Sequence, residues 1–474
     1  RRGSNLMSEP KGTSMIPMAT QANAPVRCDL IVVSYNQLEF TRACLESLVR
    51  WTDLSEVEYR LLVIDNGSMP EVVAFLRAFQ SKHARVELVE NAENRGWVAA
   101  VNQGIRWSTA PFLCWLNNDL VVTEGWLRAM LRVALSDPRI GLVNPSWRLH
   151  HETLEAFAQR VKRSLPAEPS AYREIGECNG ACLLVRRDVV ERIGLLDEIY
   201  GSGGMDDSDF SRRAAVAGFW CAQADRAFVY HWENVTSNTV SGYWDRERPE
   251  KRRLFEQRWG LPRQLAVVWD VQASCEEFRS VLRIARGLAR FGLRVQILVV
   301  GRRRPGCQCA QRPWDGEAVP HVNLRIRFRL LPARVPPWLA RWIAASRALV
   351  MLASYRGKES WKRFRGVIVP EAGLASFLNR TAWIHGVPVH ESVATCGSVA
   401  QELQWWLAQT PRSETLAVVI ITKNEERQMA ECLKTTAWAD QVIIIYDDST
   451  YHTRQMCAEV TSDIVVHASH GDFD

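Results

Sequence analysis

The sequence predicts an α/β protein whose first half forms a mostly parallel β-sheet with helices on both faces. From residue 29 onward, short apolar runs alternate with longer segments in which apolar residues recur every three or four positions. This alternation is typical of a parallel sheet, because each helix carries the chain back to the edge from which the next strand starts. The run 112–116 is wholly apolar and then stops at Asn117, Asn118 and Asp119, as a buried strand of such a sheet would.

The composition is that of a globular protein with two or three domains. The chain has 474 residues, of which 47% are hydrophobic and 24% charged, and domains average roughly 150 residues. No apolar run approaches the roughly 20 residues that cross a bilayer, so we expect no membrane-spanning helix. The net charge of +6 permits an anionic ligand or an anionic lipid surface without requiring either. We expect no nucleic-acid partner.

The twelve cysteines are irregularly spaced over a long chain, which argues against a disulfide framework. We expect reduced, mostly buried thiols and a cytoplasmic location. Cys307 and Cys309 have no second cysteine pair nearby, so they do not predict a zinc site.

Polar residues follow three of the predicted strands. The predicted strands of the first half are residues 29–34, 60–64, 86–89 and 112–116, and helices are expected to begin near Phe40, Pro70 and Trp97. Asn36, Asp65 and Asp119 then lie just beyond strand ends, on the edge where parallel α/β sheets bind ligands. One such carboxylate could be only an Asx turn. Three polar sites on one rim favour nucleotide and metal binding.

A second group of polar residues lies further along. Residues 201–204 form a glycine-rich loop, and the acids of 206–209 begin a helix. Helix capping accounts for one or two of these acids, whereas three carboxylates in four positions raise one another's pKa and favour a general base or a metal site. The strand 227–230 ends at His231, which is either a structural histidine or a metal ligand.

The ordered set of motifs resembles family 2 glycosyltransferases of the GT-A fold. The resemblance covers residues 28–237 and is carried by residues 33–36, 64–68, 94–97, 116–119, 179–181, 194–198, 206–209 and 230–231. Any one of these short motifs is weak, and the set in this order is much more specific.

The resemblance implies a role for each motif. Asp65 would contact the base or ribose of a nucleotide-diphosphate sugar, Asp119 and His231 would bind a divalent metal, and Asp207 would be the catalytic base. Asp206 stands where the family usually has Glu and is the alternative base. The other residues expected on the nucleotide sugar are Ser34, Asn36, Asn94, Arg95, Asn117 and Asn118, and those expected on the acceptor are Asn179, Gly180 and Gly203.

We therefore expect a metal-dependent, inverting, hexosyltransferase-type enzyme of bacterial surface-polysaccharide or lipopolysaccharide synthesis. It would use Mn²⁺ or Mg²⁺ and a UDP- or dTDP-sugar, and it would act on a glycan or lipid-linked acceptor. A metal stabilises the departing diphosphate, a carboxylate accepts the proton of the attacking hydroxyl, and one displacement inverts the anomeric centre. The alternative is a non-catalytic module that binds a sugar nucleotide or glycan and scaffolds other transferases.

The strand–helix pattern restarts twice in the second half. Strands at 265–269 and 295–300 flank a helix near 276–291, which predicts a Rossmann-like module similar to the opening of GT-B enzymes. Residues 416–426 and 442–450 resemble the start of a second family 2 domain. Residues 411–474 contain no metal motif and no catalytic base, so we expect them to be either a truncated family 2 domain or the remnant of one. The predicted divisions are a cloning scar and disordered segment at 1–25, a GT-A domain at 26–262, a Rossmann-like module at 263–410 and a partial second GT-A unit at 411–474.

The segment from Trp338 to Arg365 is rich in Trp, Leu, Arg and Lys. It is either an ordinary helix pair with a solvated basic face or a basic amphipathic surface that docks peripherally on anionic lipid. In the second case the protein would sit at the inner face of the plasma membrane.

Overall fold

The structure is a computed structural model that describes residues 25–52, 57–147, 152–164, 171–232, 235, 243–260, 264–270, 282, 285–302, 321–354, 364, 366–369, 372–387, 389–391, 417–422, 441–447 and 464–467. Cys307, Cys309 and residues 1–24 lie outside the described residues. The strands are β1 Val26–Ser34, β2 Val57–Asp65, β3 Val86–Glu90, β4 Phe112–Asn117, β5 Leu120–Val122, β6 Ile140–Trp147, β7 Tyr172–Ile175, β8 Cys182–Arg186, β9 Trp220–His231, β10 Gln264–Asp270, β11 Arg294–Arg302, β12 Leu324–Leu331, β13 Gly366–Val369, β14 Val389–Glu391, β15 Ala417–Thr422, β16 Gln441–Asp447 and β17 Ile464–His467. The helices are α1 Leu38–Trp51, α2 Pro70–Lys82, α3 Trp97–Trp107, α4 Trp126–Ser136, α5 Leu154–Ser164, α6 Arg187–Ile193, α7 Asp206–Val216 and α8 Arg248–Trp259, followed by Pro337–Ala353, Ala372–Arg380 and Ala382–His385.

The first sheet is the mostly parallel α/β sheet that the sequence predicts. Its strands lie in the order β3-β2-β1-β4-β8-β6-β9-β5, and β7 pairs with β9. The strands β3, β2, β1 and β4 are mutually parallel, whereas β8 runs antiparallel to β4 and β5 antiparallel to β9. The fold class is therefore confirmed, and the antiparallel strands build the side of the sheet beyond β4.

Helices cover both faces of this sheet, as expected. Successive side chains of a strand point to opposite faces, so Leu30 and Val32 of β1 pack in one core cluster and Ile31 and Val33 in the other. Helices α1, α2 and α4 contribute to the first cluster, and α3, α6 and α7 to the second. Because both faces are buried, the segments 30–33 of β1 and 61–64 of β2 are continuous apolar runs.

A second sheet, which we call the central sheet, has five parallel strands in the order β12-β11-β10-β13-β14. This is the doubly wound order of Rossmann-like folds, as the strand–helix pattern predicts. The strands β15, β16 and β17 form a small parallel sheet in that order. Its strand order is the same as that of β1, β2 and β3, and the assignment of a second GT-A unit to residues 411–474 stays a prediction.

The central sheet is joined to the first sheet through a buried ion-pair network. Glu174 of β7 is 2% exposed and accepts two hydrogen bonds from Arg286, both at 3.0 Å, and two from Arg290 at 2.7 and 2.8 Å. Burial raises the pKa of the Glu174 carboxyl, but the hydrogen bonds from the two arginines outweigh this and lower it. Removal of Glu174 would take the shared carboxylate from two neighbouring guanidinium groups, which is expected to be destabilising.

In the part of the chain that the structure describes, no helix is both long and apolar enough to cross a membrane.

Candidate active site

The carboxyl ends of β1, β2 and β4 form a single rim, as predicted. Ser34 lies opposite Asp65 and Val33 opposite Asn117 in the parallel register, so the segments that follow these strands emerge side by side.

Asp65 is the clearest ligand-binding candidate on this rim. Its side chain is buried, with 1% of the residue exposed, and its two carboxylate oxygens differ. Oδ2 accepts the backbone N–H of Ser68 at 3.2 Å, whereas the buried Oδ1 has no hydrogen-bond partner. A buried acceptor without a donor is unfavourable. A ligand that offers a hydroxyl or N–H at this point would therefore be bound favourably.

Asn66 fixes the neighbouring loop to the rim. Its Oδ1 accepts from the Nδ2 of Asn91 at 3.2 Å and from the backbone N–H of Arg95 at 3.1 Å. Its Nδ2 donates to the Oδ1 of Asn94 at 2.9 Å and to the carbonyl of Gly96 at 3.2 Å. The side chain of Asn94 is thus engaged in positioning the loop, while Arg95 is exposed beside the rim.

Ser34, Asn36 and Asn118, which we expect to contact the nucleotide sugar, form hydrogen bonds to other protein groups. The Nδ2 of Asn118 donates to the Thr41 hydroxyl at 2.8 Å, and the Ser34 hydroxyl lies 3.5 Å from it. Asn36 adopts a left-handed backbone with φ of 54°, which asparagine tolerates better than most residues. Its Oδ1 accepts the backbone N–H of Met69 at 2.9 Å. These three side chains therefore shape the rim, and their contact with a nucleotide remains a prediction.

Asp119 and His231 are brought together by strand pairing. β5 runs antiparallel to β9 with Leu120 opposite His231, which places the residue before Leu120 beside the imidazole. The Nε2 of His231 is 3.1 Å from the Oδ1 of Asp119 and 3.4 Å from the Nδ2 of Asn117. Asp119 is 4% exposed, so this contact is shielded from bulk water.

The Asp119–His231 pair has the chemistry of a partial metal site. Carboxylate oxygen and imidazole nitrogen are both metal ligands, and here the two atoms face each other across a gap that a cation could bridge. Among the described residues there is no group of three or more His, Cys, Asp or Glu side chains that could hold a metal. Two protein ligands suit a cation whose other positions are filled by phosphate oxygens and water, as is usual for Mg²⁺.

Asp206 and Asp207 form a second acidic site at the start of α7. Asp206 is 4% exposed, and its Oδ1 accepts the backbone N–H of Gly204 at 2.7 Å. Asp207 is half-buried, and its two oxygens accept the backbone N–H groups of Gly180 at 2.9 Å and Ser208 at 2.8 Å. These donors stabilise the charged form of Asp207 on both oxygens.

Burial is the main cause that raises the pKa of both acids. For Asp206, burial and the neighbouring Asp207 charge raise the pKa to about 7. For Asp207, burial and the charge of Glu177 raise the pKa, while the hydrogen bonds from Gly180 and Ser208 lower it. The backbone N–H donors of Gly180 and Ser208 thus favour the charged form of Asp207, against the burial that raises the pKa of both acids.

Asp209 is not part of this acidic site. It is 0% exposed, and its oxygens accept from Arg213 at 2.8 Å, Arg258 at 2.9 Å and the Trp259 indole at 2.9 Å. The expectation that three acids of this helix start act together is wrong, because these partners neutralise Asp209 and hold it in the core.

Gly180 and Gly203, both expected at the acceptor, are close to other groups. A Cβ on Gly180 would lie 3.3 Å from the Cβ of Asp207, and one on Gly203 would lie 3.2 Å from the Cδ1 of Trp97 at a φ of +91°. Asn179 is exposed, but its Oδ1 accepts the N–H of Ala181 at 2.8 Å. Acceptor contact by these residues remains a prediction.

Two side chains near Asp207 were not singled out from the sequence. Glu177 accepts from Arg212 at 2.8 Å and from the Ser208 hydroxyl at 3.3 Å. Glu177 precedes the 179–181 motif by two positions, and Arg212 lies one helical turn beyond Ser208. The four-residue spacing of Ser208 and Arg212 is the sequence signal that could have suggested this cluster.

Comparison with known proteins relates part of the chain to a protein family. Residues 29–194 match the family model described as Glycosyl transferase family 2. The chain is 26% identical over 196 residues to the glycosyltransferase AglE of Haloferax volcanii, covering 40% of this chain and 62% of AglE. It is 26% identical over 230 residues to the succinoglycan biosynthesis protein ExoM of Rhizobium meliloti, covering 47% of this chain and 71% of ExoM.

Among solved structures, the chain resembles the mannosyltransferase PcManGT of Pyrobaculum calidifontis, whose structure contains GDP-Man and Mn²⁺. The TM-score is 0.36 at 20% sequence identity, over 50% of this chain and 62% of that one. The chain spans less than two thirds of the length of AglE. The family match includes the strands that carry Asp65 and Asp119. The chain therefore contains a glycosyl transferase family 2 domain, which the match places at residues 29–194.

Proposed function

We propose that this protein is a metal-dependent, inverting glycosyltransferase of the hexosyltransferase type. It would move a sugar from a UDP- or dTDP-sugar to a glycan or lipid-linked acceptor in the synthesis of a bacterial surface polysaccharide. The observation that carries the proposal is the 3.1 Å contact between Asp119 and His231. That contact follows directly from β4, on the rim where Asp65 presents an unpartnered oxygen.

The donor would bind along this rim. The free Oδ1 of Asp65 suits a ribose hydroxyl or a base N–H, since both are donors. Asp119 and His231 would hold a divalent cation, and an imidazole ligand favours Mn²⁺ over Mg²⁺. When bound, such a cation stabilises the negative charge of a departing diphosphate. The exposed Arg95 is placed to reach a phosphate oxygen from the neighbouring loop.

Asp207 would accept the proton of the attacking hydroxyl. Two backbone N–H groups fix the carboxylate, at 2.9 and 2.8 Å, and a fixed base within hydrogen-bond reach of the hydroxyl is what general-base catalysis requires. A base and a leaving group on opposite sides of the sugar give one displacement and therefore inversion. The relative ExoM is a succinoglycan biosynthesis protein, which supports a glycan acceptor.

Peripheral contact with a membrane is the second part of the proposal. Three tryptophans on the helices after β12 are largely exposed: Trp338 at 67%, Trp342 at 64% and Trp383 at 75%. The ranges 332–354 and 372–386 contain four arginines and no Asp or Glu. Exposed Trp rings beside Arg suit the interface of an anionic bilayer, which would place the enzyme beside a lipid-linked acceptor.

Hydrolysis of nucleotide sugars tests the proposal against a non-catalytic binding module. A panel of UDP- and dTDP-sugars is incubated with the protein and Mn²⁺, and release of nucleoside diphosphate is measured. We expect slow release from one donor, which ceases in EDTA and in an Asp207→Asn variant. Thermal stabilisation by a nucleotide sugar without any release would instead identify a binding module.

A further inference from the structure

The glycine-rich loop of residues 201–204 leads directly into the acidic site. Gly204 donates its backbone N–H to the Oδ1 of Asp206 at 2.7 Å, and α7 begins at Asp206. A displacement of this loop would therefore move the helix start that carries Asp206 and Asp207.

The backbone of the loop depends on contacts from outside it. Gly201, Gly203 and Gly204 have φ of 43°, 91° and 95°, and Met205, which follows them, has a φ of 82°. Glycine adopts such conformations readily but loses more conformational freedom on folding than other residues, and a residue with a side chain is strained there. A segment of this kind keeps one conformation where the surrounding structure holds it.

One side of the loop is attached to the start of α3. The carbonyl of Gly201 accepts the backbone N–H of Val98 at 2.9 Å. A Cβ on Gly203 would lie 3.2 Å from the Cδ1 of Trp97, so the loop also packs on the first side chain of this helix. The loop is thus fixed to the same helix start that Asn66 holds through the carbonyl of Gly96.

The other side of the loop is held by Lys251 of α8. The ammonium of Lys251 donates to the Gly203 carbonyl at 3.0 Å, to the Ser202 hydroxyl, and to the Oε2 of Glu247 at 3.1 Å. Ser202 in turn donates to Glu247. The three acceptors match the three N–H donors of a lysine ammonium. We call Ser202, Glu247 and Lys251 the latch.

Lys251 is buried, which is unusual for a lysine. It is 8% exposed, and a buried ammonium is costly unless it is paired and hydrogen-bonded. An apolar side chain would fill the same space without this cost, so packing alone does not account for a lysine here. The charge also acts on the acidic site: burial and the charge of Asp207 raise the pKa of Asp206, whereas the N–H of Gly204 and the charge of Lys251 lower it.

We propose that Lys251 is a positioning residue for the transfer reaction. Through the latch it holds the loop 201–204, and with it Asp206 and Asp207, in the geometry in which a carboxylate reaches the acceptor hydroxyl. This rests on the proposed glycosyltransferase function. Lys251 is not among the residues proposed to hold the nucleotide or the cation, so its loss should change the rate of reaction and leave donor binding as it is.

Hydrogen exchange measured by mass spectrometry tests the latch without any substrate. Lys251→Met nearly preserves the length of the side chain but removes its charge and its donors. The amides of residues 201–205 should then exchange at least about 10-fold faster, because hydrogen bonds from a charged group are lost. Lys82→Met, at an exposed lysine that ends α2, should exchange as the unaltered protein does. Unchanged exchange of the loop in Lys251→Met would overturn the proposal.

The kinetics of donor hydrolysis test the positioning role. In Lys251→Met, kcat should fall about 10–100-fold, as it does when a catalytic group is slightly misplaced, while KM for the donor changes by less than about 2-fold. Lys82→Met should leave both constants unchanged. A faster-exchanging loop with unchanged kcat, or a raised KM with unchanged kcat, would overturn the proposal.

Ser202→Ala provides a milder variant, because it removes one acceptor of Lys251 at an exposed position. It should change exchange and kcat in the same directions by smaller factors. If Lys251→Met does not fold, Ser202→Ala decides, and no change in either quantity would then overturn the proposal. Absence of donor hydrolysis in the unaltered protein would instead refute the proposed function, and the exchange comparison would still decide the latch.

Discussion

Asp119 and His231 are 112 positions apart in the chain, and their side chains lie 3.1 Å apart because β5 pairs with β9 directly after Asp119. The contact joins the centre of the parallel sheet to its antiparallel edge. It brings together two residues of separate motifs that we propose as ligands of a divalent cation.

Binding of nucleoside diphosphate should depend on this pair and on a divalent cation. We expect UDP or dTDP to bind at least about 10-fold more tightly with Mn²⁺ than with EDTA, and His231→Ala to remove most of that difference, since a metal ligand is lost. Titration calorimetry measures both. His83→Ala, a histidine that stacks on Phe79, serves as control. Affinity that does not change between Mn²⁺ and EDTA would contradict the metal site.

Asp207→Asn should reduce the rate of transfer or donor hydrolysis by roughly 10²–10⁴-fold, the usual contribution of a general base. Affinity for the nucleoside diphosphate should change little, because Asp207 bonds to Gly180 and Ser208 and is not among the residues proposed to hold the nucleotide or the cation. Asp188→Asn, an acid whose side chain is 48% exposed, should have no effect. If Asp206→Asn gives the large loss and Asp207→Asn does not, the roles of the two acids are exchanged.

Asp206→Asn should stabilise the fold at pH 8. The pKa of Asp206 is raised to about 7 by burial and by Asp207, above an unfolded value of about 3.9. A raised carboxyl pKa favours the folded state below the unfolded value, and this stability is lost as pH rises towards 7. The variant lacks that loss, so its melting temperature should exceed that of the unaltered protein at pH 8 and approach it at pH 4. A constant difference across this range would show that Asp206 does not titrate as described.

Asp65→Asn should weaken binding of free nucleoside diphosphate about 10-fold, since a hydrogen bond to a charged acceptor is replaced by one to a neutral amide. Its unpartnered Oδ1 makes the rim carboxylate available to a donor group of the nucleoside. Glu71→Gln on the exposed first turn of α2 is the control. A changed affinity for the acceptor with unchanged nucleotide binding would place the nucleoside elsewhere.

Replacement of Trp338, Trp342 and Trp383 together by Ala should abolish sedimentation with vesicles that contain phosphatidylglycerol. The exposed rings insert at the interface, and each nearby arginine adds roughly 1 kcal/mol of attraction to an anionic surface. Trp107→Ala, at a tryptophan that is 41% exposed on α3, should bind as the unaltered protein does. Equal sedimentation with neutral phosphatidylcholine vesicles, or retention by the triple variant, would show that this face does not dock on lipid.

The sequence by itself determined the sheet and the rim on which we propose that ligands bind. Continuous apolar runs followed by polar residues indicate buried parallel strands, and the parallel register then places Asp65 and Asp119 on one edge, since period and direction are local properties of the chain. The family resemblance rests on the same local motifs, and the match at residues 29–194 agrees with it.

Only the tertiary structure decided which of the polar residues are held by other protein groups. Ser34 and Asn118 belong to strand-end motifs, yet both hydrogen-bond around Thr41. Asp209 is one of the three acids within residues 206–209, yet its carboxylate forms ion pairs with Arg213 and Arg258. The partners in each case come from distant segments, and pairing across the fold is not encoded in the local pattern. A cleft lined by Asn179 and Ser208 is of the same kind, because Asn323, which also lines it, belongs to the part of the chain beyond residue 260.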